Sequence, residues 1–311
     1  MANLLALLLG VFLLAGGLLL MRYGLSRLLW YRLQKMLSVA TGTPWRGLVT
    51  GTLAAALFQS STAVCLLTIG LVTAEYLTFR QAFGIILGAN IGTCSTVGLL
   101  GFLNTEKLLP VLLCFAGISL LFRRARNIGL AVAGLLGMFC GLYLLNTGMT
   151  ELQALEPVHC LIRLADSSTW LGILAGVLIT FMFQSSSAAT VMIMTLTDNG
   201  VFGLTTAAYI VYGSNLGSCL SSVLVSAIAP LAAKRVAAAH VLVNLLGILL
   251  FLPITEQLVT ITERFSTDPA VQVAVLHTAF NVISSLAVLP VAGRFARLVE
   301  ILIPRDKAIW R

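Results

Sequence analysis

The chain has 311 residues, 59% of them hydrophobic and 10% charged, where a soluble domain carries about 25% charged residues. Its charges gather in short clusters between long apolar runs, which excludes a single soluble core and describes helices in lipid. The formal charge of +8 does not point to nucleic acid, because Lys and Arg form no patch interleaved with aromatics and sit at the ends of apolar runs instead.

In chain order, the first apolar run covers 2–21. It lacks a basic leading segment and continues into RYGLSRLLWYRLQKMLS at 22–38, so it reads as a retained first span rather than a cleaved signal. Segment 22–38 alternates basic and apolar residues at helical spacing and is predicted to lie as a helix in the membrane interface. Further apolar runs follow at 47–74, 81–103, 108–122, 128–149, 170–197, 205–229, 231–253 and 270–293. External connectors are expected at 150–169 and 254–269, and 294–311 reads as a cytoplasmic tail, with an interfacial helix as one form. The six cysteines show no CxxC spacing and read as packing residues, with neither disulfides nor a transition-metal site inferred.

A helical crossing needs roughly 20 residues. Runs 47–74 and 170–197 are too long for one crossing and too short for two, and each is polar at its middle: Gln59-Ser60-Ser61-Thr62 and Gln184-Ser185-Ser186-Ser187. If both dip in and return, the clusters Arg22–Arg46, Arg123–Arg126, Lys234–Arg235 and Arg294–Arg311 all fall on one side. Only Lys107, Arg163 and Arg264 then fall on the other, as the positive-inside tendency requires. The expected plan is therefore two re-entrant hairpins and seven crossings, with the N-terminus outside and the C-terminus in the cytoplasm.

The two hairpins belong to a repeat with an ungapped offset of 125 residues, which carries Phe58-Gln59-Ser60-Ser61 onto Phe183-Gln184-Ser185-Ser186. The same offset carries Gly88-Ala89-Asn90-Ile91-Gly92-Thr93-Cys94 onto Gly213-Ser214-Asn215-Leu216-Gly217-Ser218-Cys219. Three crossings lie between the hairpins, so the copies 47–149 and 170–293 are expected to be inverted. The fold class is thus an all-α polytopic membrane protein of inverted repeats, each with a re-entrant hairpin and a broken transmembrane helix. That is the common plan of secondary transporters, with the site at mid-membrane between repeats. The reading is of a transporter, not an enzyme.

At each hairpin tip the second arm begins with unpaired N–H groups and a positive dipole end, which suits an anion. The serine hydroxyls there can donate to an anion or turn an oxygen toward a small cation. Glycines flanking Asn90 and Asn215 permit local unwinding; with Thr93, Ser218, Gln59 and Gln184 they offer neutral oxygens fitted to Na⁺ rather than a transition metal. No Arg or Lys falls inside this expected centre. Packing by small residues is the competing account of each Ser and Gly. His240 with Asn244, and His277 with Asn281, share helix faces at a spacing of four, as supporting hydrogen-bond partners, ligands or proton carriers.

These paired motifs, with His277-Thr278-Ala279-Phe280-Asn281, resemble the sodium/phosphate cotransporter family over about 47–290. The resemblance implies sodium-driven transport of inorganic phosphate in a bacterial inner membrane, with no organic cofactor. Phosphate would be held by Gln59, Ser60, Ser61, Thr62, Gln184, Ser185, Ser186 and Ser187. Sodium would be held by Asn90, Thr93, Asn215 and Ser218 with Gln59 and Gln184. A homodimer, and movement of a hairpin domain against a scaffold, are implied in the same way. The regulatory helical domain that many bacterial relatives carry after the membrane part is absent from 1–311, and some relatives are thought to export phosphate. Paired hairpins alone would serve sulfate, arsenate or a dicarboxylate equally well, and a passive anion channel or a membrane scaffold are the remaining readings.

Overall fold

The computed structural model describes residues 2–39, 42–102, 105–153 and 156–304. The tail charges Arg305, Lys307 and Arg311 lie outside them. The described residues are helical, with no strand among them.

Helix α1 (Ala2–Val39) is continuous, so 22–38 is the second half of one long helix and not a separate element. It lies along α6 (Arg126–Gln153). The two run antiparallel and close, because glycines face backbone across the seam. A Cβ at Gly17 would come within 2.6 Å of the Gly134 carbonyl, and one at Gly24 within 2.4 Å of the Asn127 carbonyl. Such small-residue seams gain dispersion contacts that lipid cannot match. Helix α5 (Thr105–Leu121) covers another side of α6.

Two helix–turn–helix units follow the repeat. The first is α2 (Pro44–Phe58) with α3 (Ser61–Thr73). The second, after the short helix α7 (Glu156–Ser167), is α8 (Thr169–Phe183) with α9 (Ser186–Asp198). Each first arm lies along the next long helix, α2 on α4 (Phe79–Phe102) and α8 on α10 (Leu204–Ser226).

The Gly-x-Asn-x-Gly segments are not unwound. Both α4 and α10 are unbroken helix through them, which corrects the expected broken helix and its free carbonyls. Their glycines allow close approach instead. A Cβ at Gly88 would stand 2.0 Å from the Leu48 carbonyl, and one at Gly213 would stand 1.8 Å from the Ile173 carbonyl. Both pairs are related by the same 125-residue offset.

Helix α11 (Leu231–Phe251) passes through a 3₁₀ turn at Leu252–Ile254 into α12 (Thr255–Phe265), so the expected connector 254–269 is largely helical. Likewise α13 (Pro269–Val288) passes through Leu289–Val291 into α14 (Ala292–Leu302). Each turn carries a Leu-Pro pair, whose missing N–H and ring clash break the regular ladder.

Beside two buried apolar clusters, large apolar side chains also face outward while polar ones are buried. Phe12, Leu121, Met182 and Ile228 are 71%, 82%, 80% and 96% exposed, while Ser187, His277 and Asn281 are 2%, 0% and 1% exposed. An apolar belt of this extent needs a lipid solvent. Among the described residues six helices are long and apolar enough to cross a bilayer: Leu5–Leu28, Phe79–Phe102, Arg126–Leu145, Leu204–Ser226, Leu231–Phe265 and Pro269–Leu302. The seventh expected crossing corresponds to α5, which has 17 residues and falls short of that length. The chain is a multi-pass membrane protein.

Candidate functional site

Both helix–turn–helix units turn at the glutamine. Gln59 has φ 51° and ψ 31°, and Gln184 has φ 51° and ψ 27°, in the left-handed region. A residue with a Cβ is disfavoured there by about 1–2 kcal/mol, and both copies carry that strain at the same position of the turn. The glutamine side chain helps offset the cost. Its amide nitrogen donates to the carbonyl three residues back, Ala56 for Gln59 and Phe181 for Gln184, satisfying an end group of the first arm.

The following serine is extended and caps the second arm. The Ser60 hydroxyl accepts from Ala63 N at 3.1 Å, and the Ser185 hydroxyl accepts from Ala188 N at 3.3 Å. Ser61 and Ser186 are then the first residues of α3 and α9, both buried, at the positive ends of those helices. Ser187 is buried and Thr62 half-buried.

The glutamine oxygens are held by the neighbouring long helix. Thr96 donates to Gln59 Oε1, and Ser221 donates to Gln184 Oε1 at 3.0 Å. These two bonds are one contact repeated at the 125-residue offset. Gln59 also donates to Ser95 Oγ at 3.2 Å. The roles of Thr96, Ser221 and Ser95 were missed from sequence, although Thr96 and Ser221 are hydroxyl residues in register.

Arg22 joins the two units. From α1 its Nε donates to the Gln59 main-chain carbonyl at 2.8 Å, and its NH2 group donates to Ser185 Oγ at 2.8 Å. One guanidinium therefore touches both turns, which brings Gln59, Ser60, Gln184 and Ser185 into one neighbourhood. This corrects the expectation that no basic residue enters the centre; Arg22 was grouped with the cytoplasmic cluster on position alone. The second arms also pack across the copies, α3 on α10 and α11 and α9 on α4, while α9 packs on α13 within its own copy.

The expected cation ligands form a polar layer on α4 and α10 whose bonds run to their own helices and to α11. Thr93 Oγ1 donates to the Ala89 carbonyl at 2.9 Å and Ser218 Oγ to the Asn215 carbonyl at 2.7 Å, so their protons stay on their own helices while oxygen lone pairs remain. Asn90 Oδ1 lies 3.2 Å from His240 Nε2, and Asn244 donates to Cys219 Sγ at 3.3 Å and to the His240 carbonyl at 3.0 Å. Asn215 donates to the Val211 carbonyl at 2.9 Å. Among the described residues, none of Asn90, Thr93, Asn215 and Ser218 bonds directly to a Gln-Ser-Ser turn.

On α13, Asn281 donates to the His277 carbonyl at 2.9 Å, while both His277 ring nitrogens and Asn281 Oδ1 have no protein partner among the described residues. At the far end of α9, burial and then the nearby Asp268 carboxylate raise the Asp198 carboxyl above its ordinary range.

The family model described as Na+/Pi-cotransporter matches residues 12–147 and again 138–285. The chain is 32% identical over 295 residues to Uncharacterized protein YqeW of Bacillus subtilis, covering 93% of this chain and 94% of that protein. It is 31% identical over 310 residues to "Putative inorganic phosphate export protein YjbB" of Salmonella typhimurium, covering 99% of this chain and 57% of that longer protein. A shorter stretch of 104 residues is 36% identical to Sodium-dependent phosphate transport protein 2C of Rattus norvegicus, covering 32% of this chain and 17% of that one. No solved structure matches. With the family model spanning most of a helical, lipid-facing chain whose paired Gln-Ser-Ser turns meet at one arginine, the protein belongs to the Na+/Pi-cotransporter family.

Proposed function

We propose that this protein moves inorganic phosphate across a membrane with sodium as the coupled ion, and that the two Gln-Ser-Ser turns are the phosphate site. The observation that carries the reading is the meeting of both turns at Arg22. Two helix N-termini, the buried serines Ser61, Ser186 and Ser187, and one guanidinium then converge on a single small anion. Half-buried Thr62 and the turn residues Gln59, Ser60, Gln184 and Ser185 complete the set.

In this reading sodium binds near Asn90, Thr93, Asn215 and Ser218, whose neutral oxygens suit a hard monovalent cation. The Thr96–Gln59 and Ser221–Gln184 bonds link that layer to the turns. Sodium and phosphate then raise each other's affinity by an equal factor, as linkage requires. His240 and Asn244 support the layer through Asn90 and Cys219.

For topology, α2–α3 and α8–α9 enter from opposite faces as re-entrant hairpins of an inverted repeat. Helix α5 serves as the seventh crossing: its 17 residues reach about 25 Å, close to the hydrocarbon thickness of about 30 Å. The two separate matches of one family model support the duplication. The N-terminus is then outside and the C-terminus cytoplasmic, in a bacterial inner membrane.

The name of the Salmonella relative favours a second direction, export, through the same site. Radiolabelled phosphate flux in proteoliposomes tests both. Phosphate moving down an imposed sodium gradient, and weakened by Ser61→Ala or Ser186→Ala, is the expected result. Flux indifferent to sodium would remove the coupling, and sodium-driven flux of sulfate in preference to phosphate would remove the substrate.

A further inference from the structure

Arg22 is an uncommon residue for its position. It lies within the candidate span Leu5–Leu28, where an arginine is expensive and is retained for function or pairing. Among the described residues no carboxylate neutralises it; its two bonds go to a main-chain carbonyl and a serine hydroxyl, both neutral. A guanidinium carries five N–H donors in a planar fork, so the fork keeps N–H groups free beside the turns. The Ser185 bond is expendable, since Ser185 Oγ already caps α9 through Ala188 N, whereas the Gln59 carbonyl is an end group of α2 for which Arg22 is the donor.

We propose that Arg22 has two alternating partners. Without substrate it clasps the two turns together, and with substrate it turns its fork onto the anion and releases the clasp. This rests on the reading that the turns bind phosphate, and it names the residue that supplies the positive charge. A dianionic oxygen is a far stronger acceptor for the fork than a carbonyl or a hydroxyl, so the anion wins the competition by charge.

The exchange is also directional. Helix α1 is fastened along α6 and packs on α2, while it barely touches α9. Loss of the Ser185 bond therefore frees the second hairpin unit and leaves Arg22 with the first. Occupancy by the anion is thereby converted into separation of the two turns, through one side chain.

Two measurements test this on the full chain in detergent or nanodiscs. The first is binding of inorganic phosphate below and above its second ionisation. Arg22→Gln is expected to weaken binding about 10- to 100-fold, the range of a charge-assisted bond, and to abolish the preference for the dianion. Arg22→Lys keeps the charge without the fork and is expected to fall between.

If Arg22→Gln retains the parent affinity and pH preference while Ser61→Ala with Ser186→Ala weakens binding, the arginine role is overturned and the turn site stands. If none of these variants affects binding, the turn site itself falls. Should Arg22→Gln fail to fold, Arg22→Lys decides: parent affinity without the fork overturns the proposal.

The second measurement is the spin-label distance between Leu57→Cys and Met182→Cys, exposed positions two residues before the turn glutamines, with the native cysteines replaced. Phosphate is expected to lengthen that distance, and Arg22→Gln to show the long form without phosphate. A distance indifferent to both changes overturns the clasp.

Discussion

The close approach of α8 to α10 yields the sharpest stability prediction. A methyl group at position 213 would stand 1.8 Å from the Ile173 carbonyl oxygen, with two further backbone atoms of Ile173 within 2.9 Å. Ordinary contact begins at about 3.4 Å, so Gly213→Ala must move two helix backbones apart by roughly 1.5 Å or bend one of them. Overpacking of a tight interior costs about 1–3 kcal/mol; because the obstacle here is backbone and cannot rotate away, the upper end applies, about 3 kcal/mol. Gly70→Ala is the matched control, since nothing lies within 4 Å of a Cβ there, and helix propensity favours alanine by about 1 kcal/mol. Thermal unfolding of both variants in detergent, followed by size-exclusion chromatography of the heated samples, reads the difference. Gly213→Ala is expected to melt several degrees below the parent and Gly70→Ala at or slightly above it. A Gly213→Ala protein as stable as the parent but unable to move phosphate would refute the packing role and restore local unwinding as the purpose of this glycine.

Thr96→Val removes the donor to the half-buried Gln59 side chain, and Ser221→Ala removes its counterpart at the more exposed Gln184. An unsatisfied amide costs about 1–3 kcal/mol where water is excluded. Thr96→Val should therefore raise the sodium concentration for half-maximal phosphate flux more than Ser221→Ala does, and equal shifts would count against the link between turns and cation layer. His240→Phe leaves Asn90 Oδ1 without its 3.2 Å partner inside the protein. It should lower thermal stability by about 1–3 kcal/mol, while His240→Gln should recover part of that loss; a fully stable His240→Phe protein would show that the bond contributes nothing.

What could be read from the chain follows from how each feature is encoded. The helical class and the two Gln-Ser-Ser segments were legible because length, hydropathy and a fixed offset are properties of the linear sequence. The left-handed conformation of Gln59 and Gln184 was not, since that region is usually filled by glycine or asparagine and neither is present at the turn. Arg22 was misplaced for a related reason. Position among other basic residues suggested the membrane surface, but the antiparallel seam of Gly17 and Gly24 against α6 sets where that part of α1 lies, and a seam is a relation between two distant segments. The glycines around Asn90 and Asn215 permit unwinding and tight contact equally well as sequence. Only the backbone opposite them, Leu48 and Ile173, decides for contact.

The uninterrupted course of α1 has a mechanical consequence. Its 38 residues extend about 57 Å at about 1.5 Å each, nearly twice a hydrocarbon layer of about 30 Å. An upright rod of that length emerges well beyond the lipid, with its guanidinium part-way along a stiff shaft. A tilt imposed on the emergent end, by a neighbouring molecule or by a change in bilayer thickness, would swing that charge relative to the two hairpins it touches.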